Sequence, residues 1–275
     1  MNEEEKYLFD LNGYLIIDKV LTSAEVAQAN EAIDRHIHQG SLRSRDASLD
    51  GDSPTLRGDK GRGELHGMLE WDEPWCLPFR DMLVHSKIIP HLHEILGKGF
   101  RRDHDMCLLW MDKGAEGFWF HGSSGPGFDP NSYYIFRDGK MHNGLTVVAF
   151  QLADVNPGDG GLAVIPGSHK SNFECPREML LYKKHREHVK EVVCKAGDVI
   201  IFTEALTHGT VPWTNDYQRR AILTRYTAGN LAYTNGNREI PAWANERQRA
   251  VLEPPYHNRL GRPILDEGKL NGSNK

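Results

Sequence analysis

The stretch LTVVAFQLADVNPGDGGLAVIPGSH, from Leu145 to His169, places two short apolar runs on either side of a glycine-rich turn. The turn, NPGDGG, combines asparagine, proline, aspartate and glycine, the residues that favour tight reversals of the chain. Two short runs of this kind with a turn between them predict antiparallel strands. The segment therefore indicates a β-rich fold.

Similar β-rich runs separated by turns continue through residues 105–228. These runs are MCLLWM, GFWFHG, KEVVCKAGDVIIF, ALTHGTVPW and RRAILTRYT. Many short strands with turn signals between them are typical of an antiparallel sandwich or barrel. The sequence thus predicts a mainly β fold whose core is formed by residues 105–228.

The residues before this region predict helices that brace one outer sheet. NGYLIIDKVL, which starts at Asn12, predicts a short strand. The following segment, TSAEVAQANEAIDRHIHQG, predicts a helix, because Thr22 and Glu25 have capping-box spacing and apolar residues recur at helical intervals. SKIIPHLHEILG predicts a second helix that ends before Gly97.

The remaining segments complete a single domain. Residues 41–64 are polar, glycine-rich and without a period, which predicts a long loop, either disordered or a lid over a site. They belong to an N-terminal helical part, residues 1–104. The tail, residues 229–275, is polar and contains several prolines, so we expect it to wrap around the surface of the domain.

Composition excludes some classes of function. The chain has 275 residues, 39% of them hydrophobic, and a formal net charge of −5, which argues against nucleic acid as the main partner. No apolar run approaches the roughly 20 residues that a membrane span needs. The acidic start MNEEEKYLFD lacks the plan of a signal peptide, so a cytoplasmic location is expected. The oligomeric state is left undefined.

Two histidines, His121 and His208, have surroundings suited to a metal ligand. His121 ends an aromatic run and precedes small residues, and His208 precedes a glycine late in the β-rich region. Singly, each histidine is more often a packed or solvated residue. An early and a late strand can nevertheless lie side by side in a barrel. Two imidazoles with a carboxylate suit non-haem Fe(II).

Arg219 lies beside the apolar run AILTRY, where burial of a guanidinium is costly without an anion. A guanidinium that donates two parallel hydrogen bonds is well suited to binding a dicarboxylate. Arg220 would face the opposite side of the strand, so one arginine can point inward while the other meets water. We therefore expect Arg219 to bind a carboxylate, the alternative being a surface salt bridge.

Three motifs in order, GDGGLAVIPGSHK, AGDVIIF and HGTVPWTNDYQRRAIL, resemble the phytanoyl-CoA dioxygenase family of Fe(II)/2-oxoglutarate oxygenases. The resemblance extends from Asn12 to about Thr227. It implies a double-stranded β-helix, a jelly-roll of the cupin type. It also implies Fe(II), 2-oxoglutarate and O₂ as cofactor and co-substrates, and hydroxylation of an aliphatic C–H bond in a small organic substrate.

The resemblance implies roles for particular residues. His121 and His208 would be iron ligands, and Arg219, assisted by Thr210, would bind the far carboxylate of 2-oxoglutarate. His169 falls on a turn of the family pattern and is expected to be structural. Further residues expected at the co-substrate pocket are Asn143, Thr146 and Gln151.

The chain departs from the family pattern at Ser123, where an aspartate ligand normally follows the first histidine. In one interpretation another carboxylate, Asp129 or Glu204, replaces it. Glu204 would need a bulge or curvature, because four residues of straight strand would separate it from His208 by about 13 Å. In a second, chloride occupies the position, as in related halogenases. In a third, the metal site is lost and the protein only binds a small molecule.

Features near His121 bear on the substrate. The basic segments Arg57–Arg62 and Tyr133–Lys140 are expected to act as lids and would suit an anionic substrate. Aromatic residues suggest a substrate that is apolar or contains a ring. These aromatic residues are Phe118, Trp119, Phe120, Phe128, Tyr133 and Tyr134.

Overall fold

The computed structural model describes residues 1–42, 53–122, 128–233 and 239–257 of the chain. Its helices are α1 (Glu3–Asn12), α2 (Ser23–His36), α3 (Leu77–Met82), α4 (Ile89–Leu96), α5 (Arg177–Leu180) and α6 (Glu246–Leu252). Its strands are β1 (Tyr14–Ile17), β2 (Ser41–Leu42), β3 (Gly63–His66), β4 (Arg101–Arg102), β5 (Cys107–Met111), β6 (Phe118–His121), β7 (Tyr134–Arg137), β8 (Lys140–Asn143), β9 (Thr146–Gln151), β10 (Gly161–Val164), β11 (Lys190–Glu191), β12 (Val199–Thr203), β13 (His208–Val211) and β14 (Arg219–Thr227). None of the helices in these ranges is long and apolar enough to cross a membrane.

Two antiparallel sheets form the core. The larger sheet has the order β1-β12-β9-β14-β5-β3-β2, and β4 pairs with β14 as well. The smaller sheet has the order β11-β10-β13-β6. Buried residues from both sheets, such as Val164 on β10 and Phe202 on β12, belong to one apolar cluster. Two facing antiparallel sheets confirm the expected jelly-roll.

The outer face of the larger sheet is covered by helices. Side chains of β9 alternate, so that Val148 and Phe150 join the apolar cluster of the helices while Val147 and Ala149 face the interior of the barrel. The capping box at Thr22 starts α2, and Gly97 ends α4. The prediction that helices brace one outer sheet is therefore confirmed.

Several segments differ from expectation. The loop predicted over residues 41–64 is in part sheet, because β2 pairs with β3 at the edge of the larger sheet, and residues 43–52 lie outside the described ranges. The lid predicted at Tyr133–Lys140 belongs to a hairpin of β7 and β8. The tail includes α6, whose Val251 is fully buried in the helical cluster, so this part packs into the domain.

Candidate metal centre

Sheet pairing brings the two candidate histidines together. In the smaller sheet β6 pairs with β13 so that His121 lies directly opposite His208, with ring centroids 4.2 Å apart. The register shifts between His208 and Thr210, because two residues of β6, Trp119 and Phe120, lie opposite Gly209 of β13, so the bulge is in β6. Bulges re-aim side chains at such positions. The two histidines are 87 residues apart in sequence, yet they are direct neighbours on adjacent strands.

Backbone carbonyls orient both imidazoles. Nδ1 of His121 lies 3.2 Å from the carbonyl oxygen of Trp119, and Nδ1 of His208 lies 2.7 Å from that of Leu206. Since a carbonyl only accepts, each Nδ1 carries the proton, and a neutral ring then presents the lone pair of Nε2. Burial, together with His208, lowers the pKa of His121 to about 4. Burial also lowers the pKa of His208, although the negative charge of Glu204 acts to raise it.

Glu204 completes a cluster of three potential ligands. Its Oε2 lies 3.6 Å from Nε2 of His208, and one ligand atom from each of Glu204, His208 and His121 falls within 4.8 Å of the other two. The separation of about 13 Å expected for a straight strand does not apply. The reason is that β12 ends at Thr203, and the chain turns back over residues 204–207 before β13 begins.

Arg225 stabilises the ionised form of the Glu204 carboxylate. Its Nε donates a hydrogen bond of 2.6 Å to Oε1 of Glu204. Burial alone would raise the pKa of Glu204, but Arg225 and the two histidines outweigh it and lower the pKa to about 2. Sequence reasoning did not single out Arg225. The signal was present, because a strand with Arg219 facing inward also turns residue 225 inward.

An inner cavity of about 150 Å³ adjoins the histidines and contains Arg219. The Arg219 side chain is almost fully buried, and its Nη1 lies 3.9 Å from Sδ of Met111. Among the described residues its Nε has no hydrogen-bond partner. Burial lowers the pKa of Arg219. Thr210 lines the same cavity. A buried guanidinium with an unsatisfied donor is suited to an anionic ligand.

An outer cavity of about 610 Å³ lies on the other side of the histidine pair. Glu204 lines this outer cavity, His208 lines the inner one, and His121 and Arg225 line both. The cluster of His121, Glu204 and His208 therefore stands where the two cavities meet. A ligand in either cavity would lie next to this cluster.

Asn143 and Thr146, which were expected at the co-substrate pocket, do not line the inner cavity. Asn143 donates from Nδ2 to the carbonyl oxygen of Ile95 on α4. Thr146 is buried on β9 with the parity of Val148, so it faces the helices, and Gln151 donates to the carbonyl oxygen of Ala149. The assignment of Asn143 and Thr146 to the co-substrate pocket is therefore not supported by their positions.

The other residues named from the sequence also differ in whether they lie near the two histidines. Asp129 lines the outer cavity, is exposed and accepts a hydrogen bond from the backbone N–H of Asn131. Ser123 lies outside the described residues. His169 is buried, and its Nε2 lies 3.0 Å from the carbonyl oxygen of Asp10, which fits the structural role expected for it. Of the six aromatic residues near His121, Phe118 lines the inner cavity. The guanidinium of Arg62 lies over its ring, 4.3 Å from the ring centroid.

The donor set fits a metal ion. Two neutral imidazoles and one carboxylate are the ligand set of non-haem Fe(II) sites, which keep further positions open. Bond lengths of about 2.1 Å would hold adjacent donors about 3 Å apart, and the separation of 3.6 Å between Glu204 and His208 is close to that.

The chain is similar to several known proteins. The ectoine dioxygenase of Streptomyces coelicolor is 23% identical over 166 residues, covering 60% of this chain and 50% of that protein. The ectoine dioxygenase of Sphingopyxis alaskensis is 23% identical over 243 residues, covering 80% and 74%. The chain spans about half the length of the Streptomyces relatives that it matches. The crystal structure of HygX from Streptomyces hygroscopicus with nickel and 2-oxoglutarate bound superimposes with a TM-score of 0.67 at 21% identity, covering 87% of this chain and 95% of HygX.

The structural likeness to HygX shows a shared fold, in agreement with the two facing sheets. The family model of phytanoyl-CoA dioxygenase matches residues 9–221, which include both histidines, Glu204 and Arg219. The chain belongs to the phytanoyl-CoA dioxygenase family.

Proposed function

We propose that the protein is an Fe(II)/2-oxoglutarate-dependent oxygenase that hydroxylates an aliphatic C–H bond of a small polar molecule. The observation that carries the proposal is the pair His121 and His208, which lie directly opposite each other on paired strands and line the same cavity as Arg219. Family membership supports it. HygX, with the same fold, has been crystallised with nickel and 2-oxoglutarate, and with iron.

Each residue would have a distinct task. His121 and His208 would hold Fe(II), which when bound supplies O₂ activation driven by the oxidation of 2-oxoglutarate to succinate and CO₂. Arg219 would bind the far carboxylate of 2-oxoglutarate through two hydrogen bonds, with Thr210 beside it. The apolar walls of the inner cavity would exclude water from this ion pair and so strengthen it.

Hydroxylation is favoured over halogenation by the position of Glu204. Its carboxylate has an oxygen within 4.8 Å of a ring nitrogen of each histidine, where it can take the coordination position that chloride would need. Arg225 donates a hydrogen bond to this carboxylate and so favours the ionised form that binds a metal ion. The halogenase alternative remains an outcome of the test below.

The outer cavity supports a cationic substrate, such as one that carries amino groups. Three carboxylates besides Glu204 line it, from Glu64, Asp105 and Asp129, whereas Arg225 is its one arginine or lysine among the described residues. Neither of the basic segments expected to favour an anionic substrate, Arg57–Arg62 and Tyr133–Lys140, lines this outer cavity, and Arg62 lines the inner one. Complementary charge on the substrate would favour both binding and orientation.

The proposal is tested by measuring succinate formed from 2-oxoglutarate under air with Fe(II). We expect His121→Ala and His208→Ala to lower this turnover at least 100-fold, while His188→Ala, an exposed histidine, leaves it unchanged. Retained turnover in both variants would contradict the proposal. Binding of 2-oxoglutarate without turnover would indicate a non-catalytic relative.

The substrate class is tested with two sugars of opposite charge. Glucosamine and glucuronate have similar rings, and we expect only the aminated sugar to increase succinate formation. Mass spectrometry of the products then distinguishes a gain of one oxygen from a chlorinated or brominated product when halide salts are present. Stimulation by glucuronate alone would contradict a cationic substrate.

A further inference from the structure

We infer that Glu204 supplies the carboxylate ligand that the family pattern places at the position of Ser123, and that Arg225 is the positioning residue of Glu204. The inference rests on the proposed iron centre and identifies its third protein ligand. In this chain the carboxylate would come from the turn before β13, four residues ahead of His208, instead of following His121.

The turn that holds Glu204 is anchored on both sides. The backbone N–H of Glu204 donates to the carbonyl oxygen of Leu145 at 2.8 Å, and that of Leu206 donates to Thr203 at 2.9 Å. Ser132 donates from its hydroxyl to the carbonyl oxygen of Glu204 at 2.9 Å. The backbone therefore fixes where the Glu204 side chain starts.

The two carboxylate oxygens of Glu204 face different partners. Oε1 accepts the hydrogen bond of 2.6 Å from Arg225, and Oε2 points to Nε2 of His208 at 3.6 Å. The Arg225 contact selects one rotamer of Glu204 and leaves the second oxygen directed at the histidine pair. This is the arrangement of a metal ligand oriented by a hydrogen-bonded neighbour.

A simple ion pair between Glu204 and His208 explains this contact less well. Because Nδ1 of His208 already donates to Leu206 at 2.7 Å, a neutral ring presents a lone pair at Nε2. Two acceptors would then face each other, which is unfavourable unless a cation lies between them. Even for a protonated ring, 3.6 Å is too long for a hydrogen bond.

The other candidate carboxylate, Asp129, is placed less favourably. Its Oδ1 accepts the backbone N–H of Asn131 at 2.8 Å, and the residue is exposed. Asp129 does not belong to the group of potential ligands formed by His121, Glu204 and His208. It therefore serves as the matched control.

The test is equilibrium dialysis of the full chain against Co²⁺ in the presence of 2-oxoglutarate, with the bound metal measured by mass spectrometry. We expect Glu204→Gln to weaken binding about 100-fold and Arg225→Met about 10-fold, in line with the loss of a ligand and of its hydrogen-bonded partner. Asp129→Asn should stay within about twofold of the wild type. Circular dichroism establishes that each variant is folded.

The wild-type protein gives a second test that needs no variant. A crystal structure with Fe(II) should show an oxygen of Glu204 bonded to the metal together with Nε2 of both histidines. Metal bound by the histidines alone, with neither oxygen of Glu204 bonded to it, would overturn the inference, as would full Co²⁺ affinity in folded Glu204→Gln. In either case the proposed function stands, whereas a wild type that binds no metal would refute the proposed function itself.

Discussion

Under the proposed function, Arg219 is the residue on which recognition of the co-substrate would depend. Replacement by lysine keeps the positive charge but removes the fork of two parallel donors. We expect Arg219→Lys to raise the Kd for 2-oxoglutarate about 100-fold, since a hydrogen bond to a charged group contributes roughly 1.5–3 kcal/mol. Calorimetric titration in the presence of Mn²⁺ measures this, with Arg220→Lys as the control. An unchanged Kd would show that Arg219 does not bind the co-substrate.

Asp103 is a buried carboxylate outside the site that controls acid stability. Its Oδ1 lies 2.9 Å from Nη1 of Arg101 and accepts the backbone N–H of Tyr233 at 3.0 Å. Burial would raise its pKa, but the hydrogen bonds from His104 and Tyr233 and the charge of Arg101 lower it to about 2. The charged form is therefore favoured by the folded state.

An aspartate whose pKa is lowered on folding stabilises the protein at pH values above the ordinary pKa of aspartate. This contribution is lost as the pH falls towards the pKa of the group in the folded state. We expect Asp103→Asn to lower the free energy of unfolding by about 2 kcal/mol at pH 7, and this difference should shrink between about pH 4 and pH 2. Urea titrations at several pH values measure it. A difference that stays constant with pH would contradict the prediction.

The sequence contained most of the site but not its geometry. His121, His208 and Arg219 were identifiable because each interrupts a β-rich run with a residue that is costly to bury without a partner. Whether Glu204 or Asp129 approaches the histidines could not be predicted, since that depends on a turn in place of a straight strand. The position of Asn143 could not be predicted either, because it depends on the packing of its hairpin against α4, where Asn143 donates to the carbonyl oxygen of Ile95.

At the scale of elements, the turn before β10 shapes the site of Arg219. Gly158 and Gly161 both have φ of +84°, which is strained for any residue with a side chain. A Cβ atom at Gly161 would lie 2.7 Å from Nε of Arg219, whereas one at Gly158 would have no atom within 4 Å. The two glycines therefore share a backbone conformation, but a methyl group added at each position would meet different surroundings.

This difference gives a matched pair of variants. Gly161→Ala and Gly158→Ala should each cost about 1–2 kcal/mol of stability, because both force alanine into a left-handed conformation. Only Gly161→Ala should also raise the Kd for 2-oxoglutarate, about tenfold or more, by displacing Arg219. Thermal unfolding and calorimetry separate the two effects. Equal Kd values in the two variants would contradict this role of Gly161.

Elements with strong local signals were predictable. The helix at residues 23–36 and the strand at residues 146–151 carry a capping box and a continuous β-rich run, respectively. Helix α1 was missed, although Asn2 and Glu5 form a capping box, because Phe9 is its one buried residue and no apolar stripe marks it. The hairpin of β7 and β8 was taken for a loop because most of its residues are exposed.

At the scale of the whole molecule, α6 joins the C-terminal part to the helical layer. Val251 is fully buried, whereas Arg249 on the same helix is exposed. We expect Val251→Asp to destabilise the protein by about 3 kcal/mol or more, because it buries a charge without a partner, and to lower Tm by roughly 10 °C. Arg249→Asp should cost less than about 1 kcal/mol. Equal Tm values for the two variants would mean that α6 does not contribute to the core.

The fold could be predicted from periodicity and turns because a jelly-roll repeats one local pattern, a short strand followed by a tight turn. The order of the strands within the sheets could not be predicted, since pairing of β6 with β13 joins segments far apart in the chain. That long-range pairing brings together the two histidines of the proposed metal centre. The division of the chain into residues 1–104, 105–228 and 229–275 stays a prediction, although β1 already adds a strand from the first part to the larger sheet.

The most direct measurement is an anaerobic titration of Fe(II) and 2-oxoglutarate into the wild-type protein, followed by visible absorption. We predict a charge-transfer band that requires both components, disappears in His208→Ala and does not shift with chloride. A folded protein that gives no band would contradict an iron and 2-oxoglutarate centre formed by His121, His208 and Arg219.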